Sequence, residues 1–149
     1  MRQASLLLFA VSGSLLLGAL GFQFIGNLAP CEMCFWQRYA HLGVLGLAAI
    51  AFVTQNRAFA LLAIAAMLVA AGLGLFHAGV EQGWWEGPAC SSALQPGMSQ
   101  ADILGSLMNA PLVRCDAIAW QLFGLSMAGW NAMISLLAAA SAWLLWRRT

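Results

Sequence analysis

Four long apolar runs divide this chain, and polar segments separate them. The runs cover residues 6–26, 35–53, 58–79 and 119–146. An α-helix rises about 1.5 Å per residue, so roughly 20 residues cross the hydrocarbon layer of a bilayer. The pattern therefore predicts an all-α membrane protein, a bundle of four transmembrane helices, in a single integral-membrane domain over residues 1–149.

Two of the runs carry features that predict how the helices pack. The second run includes Gln37, Arg38 and His41 near its start, and we expect these polar groups to face the bundle interior because exposure to lipid is costly. The third run repeats a small residue every four positions, a pattern that lets transmembrane helices approach closely. Its members are Ala66, Ala70, Gly74 and Ala78. That face is expected to pack on a neighbouring helix.

The polar segments include two loops on one side of the predicted bundle, at about residues 27–34 and 80–118. Glycine and proline punctuate the second loop, which also predicts one short amphipathic helix. Ser99 can cap this helix, and its apolar face consists of Ile103, Leu104, Leu107 and Met108. The helix lies either along the membrane surface or against the protein itself, and the pattern leaves both interpretations open.

Composition and charge exclude two classes of protein. Hydrophobic residues make up 62% of the chain and charged residues 7%, with a mean hydropathy of +0.84, which is not the composition of a soluble domain. The formal net charge is +1, and no basic residues cluster as a nucleic-acid interface requires. The chain is therefore expected to contact membrane lipid and to bind no nucleic acid.

The arginines predict the orientation of the spans. Arg2, Arg57, Arg147 and Arg148 all fall on one side of the four predicted helices, and basic residues gather on the cytoplasmic side of membrane proteins. Both termini are therefore expected in the cytoplasm and both larger loops outside it. The first run also resembles a signal peptide, but it exceeds a typical signal core and lacks a clear cleavage site, so an uncleaved span is expected.

All four cysteines fall in the predicted external loops, Cys31 and Cys34 in the first and Cys90 and Cys115 in the second. Thiols outside the cytosol tend to be oxidised, so the ordinary interpretation is two structural disulfides. A C-x-x-C ring constrains little chain, however, and its spacing suits thiol–disulfide exchange better. A zinc site that adds the second pair, or His77, to the first pair is disfavoured, because structural zinc sites usually repeat the tight spacing.

Arg38 lies four residues after Cys34, which places both on one face of a helix. There the guanidinium can stabilise a Cys34 thiolate, which also gains from the positive end of the helix dipole. Glu32, between the two cysteines, disfavours a second negative charge, so the order of the two thiol pKa values is open. A lone arginine at a span end often extends to lipid headgroups instead, but the face shared with Cys34 favours a site.

The motif Pro30-Cys31-x-x-Cys34-x-x-Gln37-Arg38, followed by a loop with Cys90 and Cys115 in a four-span chain, resembles the DsbB family. These are quinone-linked disulfide oxidases of the bacterial inner membrane, and the resemblance covers the whole chain. It implies a multi-pass enzyme that reoxidises a periplasmic DsbA-like protein of thioredoxin fold and passes the electrons to ubiquinone or menaquinone. It also implies that Arg38 and His77 contact the quinone, although a histidine inside a span is often a packing group.

The same resemblance implies a role for each cysteine. Cys90 would be the sulfur that the partner's thiolate attacks, and Cys115 would be the leaving thiol. Cys31 would then exchange with Cys115, and Cys34 would pass electrons to the quinone. Glu32 departs from the apolar residue that is more usual inside this motif, which affects the expected redox potential of the pair rather than its role.

Two alternatives stay open at this point. A relative of vitamin K epoxide reductase would combine the same chemistry with a small helical membrane fold, but in that family the loop pair precedes the C-x-x-C motif, whereas here it follows. A non-catalytic membrane scaffold would use the same cysteines only as structural disulfides. Quinone-dependent thiol oxidation by the purified protein would distinguish an enzyme from a scaffold.

Overall fold

The structure is a computed structural model that describes residues 1–87, 99 and 113–148. It contains four long helices: α1 (Arg2–Phe24), α2 (Glu32–Thr54), α3 (Arg57–Glu81) and α4 (Met127–Arg147). Two short strands, β1 (Gln121–Leu122) and β2 (Leu125–Ser126), precede α4. Among the described residues α1, α3 and α4 are long and apolar enough to cross a membrane. A helical membrane protein is thus confirmed, while the full four-span arrangement stays a prediction.

The structure also shows how the predicted spans begin. The second helix starts at Glu32, ahead of residue 35, because the Cys31 side chain caps it. The predicted range 119–146 contains the β hairpin before its helix. Phe123 and Gly124 turn this hairpin with φ angles of 52° and 80°, as a two-residue type I′ turn requires, and Ser126 Oγ then caps α4 by accepting from Gly129 N–H at 3.1 Å. The predicted amphipathic loop helix lies outside the described residues, apart from Ser99.

The helices pack in a ring in chain order, and α4 closes the ring against α1. One end of the ring, which holds both chain termini, has a continuous apolar core. Its buried members are Ala4, Leu8, Val44, Ala48, Ala63, Ile64, Met67, Ala138, Ala139 and Ala142. Arg2 and Arg57 lie at this end, at 5.8 Å and 4.7 Å from the ring centroids of Phe52 and Trp146. We call this the arginine end of the bundle.

The small-residue stripe of α3 meets α4 at Gly74, so the predicted packing of this face on a neighbouring helix is confirmed at that position. A Cβ atom at Gly74 would lie 2.9 Å from Ala132 N and 3.0 Å from Ala128 O of α4. The two helix backbones therefore meet directly, as small residues allow in membrane bundles. This contact fixes α3 beside α4 just below the end of the bundle that holds the cysteines.

Candidate active site

The C-x-x-C motif forms the first turn of α2, at the end of the bundle opposite the arginine end. Cys31 Sγ accepts a hydrogen bond from Cys34 N–H at 3.3 Å, and this cap brings the two sulfurs within 2.9 Å of each other as free thiols. The Cys31 thiol is buried and donates to Cys34, which lowers the pKa of Cys34 to about 7, with help from Arg38. The hydrogen bond and burial raise the pKa of Cys31. Cys34 is therefore the preferred thiolate.

His77 reaches the thiols from α3. Its Nε2 atom lies 3.6 Å from Cys31 Sγ and 3.9 Å from Glu81 Oε1. The His77 and Glu81 side chains are only 5% and 6% exposed. Gln37 Nε2 donates to His77 Nδ1 at 2.8 Å, so the neutral ring carries its proton on Nε2, facing the cysteine.

A buried chain of hydrogen bonds, which we call the polar chain, continues from His77 into the middle of the bundle. Asn131 Nδ2 donates to Gln37 Oε1 at 2.6 Å. Asn131 Oδ1 lies 2.8 Å from His41 Nε2, and His41 Nδ1 lies 3.1 Å from Ser12 Oγ. The five members of the polar chain are buried, and all four helices contribute to it. The prediction that Gln37 and His41 face the interior is therefore confirmed.

Arg38 also points inward, where α1 holds it. Its Nη1 atom donates to Gln23 Oε1 at 2.6 Å and its Nη2 atom to Ala19 O at 3.2 Å, while the guanidinium carbon lies 5.4 Å from the Phe35 ring centroid. Arg38 and Cys34 line the same cavity, as their spacing predicted. The arginine is thus anchored by protein groups at the site.

This cavity has a volume of about 360 Å³ and is lined mainly by apolar side chains. Both C-x-x-C cysteines, Arg38, His77 and Glu81 form its polar wall. Its apolar wall includes Leu15, Leu16, Phe22, Leu28, Val113, Trp120, Leu122, Met127 and Ile134. A largely apolar cavity with a few convergent polar groups is the usual form of a small-molecule site.

The second cysteine loop contacts the same site through Cys115. Cys115 is disulfide-bonded and shares a buried cluster with Cys31, against which Cys34 packs. The His77 ring lies close to the Cys115 backbone. Cys90, the other predicted cysteine of this loop, lies outside the described residues.

The chain neighbours of Cys115 form an exposed ion pair. Arg114 Nε donates to Asp116 Oδ1 at 2.8 Å, and this contact holds the pKa of Asp116 below its usual range and raises the pKa of Arg114. The Arg114 charge is therefore shared with Asp116.

Comparison with known proteins agrees with this geometry. Residues 1–145 match the family described as Disulfide bond formation protein DsbB. The chain belongs to the DsbB family. Relatives named Disulfide bond formation protein B come from Methylococcus capsulatus (33% identity, covering 97% of this chain and 93% of the relative), Marinobacter nauticus (30%, 95% and 90%) and Acidovorax sp. strain JS42 (30%, 93% and 83%). Membership in the DsbB family makes this chain a disulfide-forming membrane oxidoreductase.

In this DsbB-family chain the structure brings together the predicted residues that it describes. These are Cys31, Cys34, Arg38 and His77 on the cavity wall and Cys115 packed against them. Sequence reasoning missed Glu81 and Asn131 as parts of the site. Two signals were present: Glu81 follows His77 by one helical turn, and Asn131 is the one amide side chain within α4.

Proposed function

We propose that this protein reoxidises a DsbA-like protein of thioredoxin fold outside the cytoplasm and delivers the electrons to ubiquinone or menaquinone in the bacterial inner membrane. The observation that carries the proposal is the position of the C-x-x-C pair. Its two free thiols line a largely apolar cavity, and the disulfide-bonded Cys115 packs against Cys31. The Cys31–Cys34 pair can thus exchange with the second cysteine loop on one side and contact a quinone ring on the other.

The exchange steps conserve two electrons. The partner's thiolate would attack Cys90, breaking a Cys90–Cys115 disulfide and releasing Cys115 as a thiolate. Cys115 would then attack Cys31 of an oxidised Cys31–Cys34 pair and release the Cys34 thiolate. The partner's second thiol would attack its mixed disulfide with Cys90, releasing the oxidised partner and the Cys90 thiolate. Cys90 would then attack Cys115 in the Cys31–Cys115 disulfide, which restores the loop disulfide and leaves both C-x-x-C thiols reduced. The free thiols and bonded Cys115 of the structure correspond to this last state.

The cavity fits a quinone ring by size and polarity. Its volume of about 360 Å³ falls within the range of small-molecule sites, and its polar groups stand on one wall. When bound, a quinone accepts two electrons and two protons. Arg38 would hold a ring oxygen with its planar fork, His77 would present its Nε2–H beside the thiols, and the apolar wall would exclude water.

The orientation proposed for the membrane follows from the two ends of the bundle. Arg2 and Arg57 gather at the arginine end, where Arg147 and Arg148 also end the last helix. The cysteines lie at the opposite end. Placing the arginine end in the cytoplasm satisfies the positive-inside rule and puts both termini inside and both cysteine loops in the periplasm.

The test uses purified protein and a reduced DsbA-like partner. We expect quinone to co-purify, identified by mass, and partner oxidation to require added quinone once the bound quinone is consumed. With the partner supplied in its oxidised form, Cys115→Ala should trap a mixed disulfide between Cys90 and the partner, because the free Cys90 thiolate attacks the partner's disulfide and no Cys115 thiolate is present to displace the partner. A trapped species through Cys31 would contradict the exchange order, and absence of thiol oxidation would favour the scaffold alternative.

A further inference from the structure

We propose that the reduced site binds one thiophilic divalent cation, such as Zn²⁺, through Cys31, Cys34, His77 and Glu81. The proposal goes beyond electron transfer and does not depend on it, because it requires only the two thiols in their reduced form. The sequence disfavoured a zinc site whose further ligands were the second cysteine pair or His77. The site proposed here uses His77 together with Glu81, which lies beside His77 in the structure.

The first three donor atoms are already close to a metal-binding arrangement. Cys31 Sγ, Cys34 Sγ and a ring nitrogen of His77 lie within 4.8 Å of one another. In a tetrahedral zinc site, bond lengths of about 2.3 Å to sulfur and 2.0 Å to nitrogen place the sulfur and nitrogen ligands about 3.5 Å apart. The observed distance from Cys31 Sγ to His77 Nε2 is 3.6 Å, close to this value. The two sulfurs, now 2.9 Å apart, must separate to about 3.8 Å, which rotation of the Cys34 side chain provides.

Glu81 supplies an independent reason to place a cation here. Its side chain is 6% exposed, and its Oε2 atom has no hydrogen-bond partner among the described residues. Its Oε1 atom lies 3.9 Å from His77 Nε2, and Ser126 lies beside the carboxyl group. A buried carboxyl oxygen without a partner is costly. A metal ion shared with His77 would satisfy it.

The residues behind His77 can adapt to a bound ion. A histidine that binds metal through Nε2 carries its proton on Nδ1 and donates it to an oxygen. Gln37 now presents its amide nitrogen to Nδ1, and a half-turn of this amide would present Oε1 instead. A matching half-turn of Asn131 would keep its contacts with Gln37 and His41. The polar chain would thus reverse its direction and keep its own hydrogen bonds, at the cost of the 3.4 Å bond that Gln37 Nε2 donates to Met33 O.

Access to the site and the consequence of binding both follow from the cavity. All four proposed ligands line it, so an ion that enters the cavity meets them together. Binding would release the two thiol protons and hold both sulfurs as thiolates on the metal. Since the same sulfur electrons form the disulfide bond, the pair could not close until the ion left. Zinc would therefore act as a reversible inhibitor of the reduced enzyme.

The coordination can be measured on the wild-type protein. We expect the reduced, desalted protein to bind one Zn²⁺ per chain and the protein with an oxidised Cys31–Cys34 pair to bind none. X-ray absorption at the zinc edge should show two sulfur neighbours at about 2.3 Å and two nitrogen or oxygen neighbours at about 2.0–2.2 Å. A shell without sulfur, or equal binding by reduced and oxidised protein, would overturn the proposal.

A matched pair of carboxamide variants tests the fourth ligand. Glu81→Gln should weaken zinc binding by about tenfold or more, whereas Glu32→Gln, which changes an exposed carboxylate inside the motif itself, should leave the dissociation constant within about twofold. Thermal unfolding of both variants checks that they are folded. Wild-type affinity in Glu81→Gln, or an equal loss in both variants, would remove Glu81 from the site.

Discussion

The two sulfurs of the C-x-x-C motif occupy unequal positions in one helical turn. Cys31 is the N-cap of α2, with its side chain shielded from solvent and in contact with His77. Cys34 is partly exposed to solvent, and its thiolate is stabilised by the charge of Arg38. The capping thiol donates its hydrogen bond to Cys34, so the pair carries its negative charge on Cys34. In the proposed mechanism this is the sulfur that faces the quinone, while Cys31 faces the loop.

This asymmetry predicts selective alkylation. In the reduced protein, with a chelator present, iodoacetamide should modify Cys34 before Cys31, because the thiolate is the nucleophile. The rate at Cys34 should rise as the pH increases through about 7, where this thiol ionises. Peptide mapping by mass spectrometry after partial reaction measures both sites. Faster modification of Cys31 would mean that the charge lies on the other sulfur.

Replacing Arg38 tests whether its guanidinium serves the quinone. Arg38→Met should slow quinone reduction about 100-fold, and Arg38→Lys should be impaired less, since it keeps the charge but loses the planar fork. Thiol exchange between Cys90 and the partner should continue. Rates of partner oxidation at limiting quinone give the measurement, with Arg147→Met at the arginine end as control. Wild-type rates in Arg38→Met would remove the quinone role of Arg38 and leave it as a structural contact with α1.

At the scale of elements, the contact between α3 and α4 determines how the site is supported. Gly74 lets the two backbones meet, so that His77, one turn later, and Asn131 on α4 both reach Gln37. A side chain at position 74 would separate the two helices. The hydrogen bonds that orient the His77 ring therefore depend on Gly74, although Gly74 takes part in none of them.

Two glycines of α3 provide a matched test of this contact. Gly74→Ala should destabilise the bundle by about 1–3 kcal/mol, because the added Cβ meets the α4 backbone. Gly72→Ala adds the same atom where nothing lies within 4 Å, so it should change stability by about 1 kcal/mol or less, towards greater stability. Unfolding in detergent measures both. Equal effects would show that α3 and α4 do not pack through Gly74.

The sequence predicted these elements where the signal is local. Apolar runs gave the helices, and the four-residue spacing of Cys34 and Arg38 placed both on one wall of the cavity. The hairpin was missed because its residues belong to an apolar run, and only Gly124 marks its turn. Contacts such as Asn131 with Gln37 join residues far apart in the chain, so they depend on how the helices rotate against each other, which spacing within one helix does not reveal.

At the scale of the whole molecule, charge separates the two ends of the bundle. Four of the six basic residues lie at the arginine end, and the described cysteines lie at the other. Cys115 is the described cysteine that belongs to the second loop. Because Cys115 is buried, the orientation proposed for the molecule is read from labelling of either second-loop cysteine, Cys90 or Cys115, from one side of the membrane.

Thiol labelling of intact cells tests this orientation. After reduction, a membrane-impermeant maleimide should label Cys115 or Cys90 in cells whose outer membrane has been made permeable. A cysteine introduced at Thr149 in a variant without the native cysteines should be labelled only after lysis, because the C-terminus is expected in the cytoplasm. The reverse pattern would invert the proposed topology.

The polar chain has a consequence for how the bundle assembles. Every helix supplies at least one member: Ser12 from α1, Gln37 and His41 from α2, His77 from α3 and Asn131 from α4. Shifting any helix by one residue turns its polar group by about 100°, which leaves that group and its partners unpaired in a water-poor interior. After the helices insert into the bilayer, one combination of rotations about their axes lets all of these side chains form their hydrogen bonds together. That combination also brings His77 to the cysteines, so a wrongly assembled bundle would lack the redox site as well as the fold.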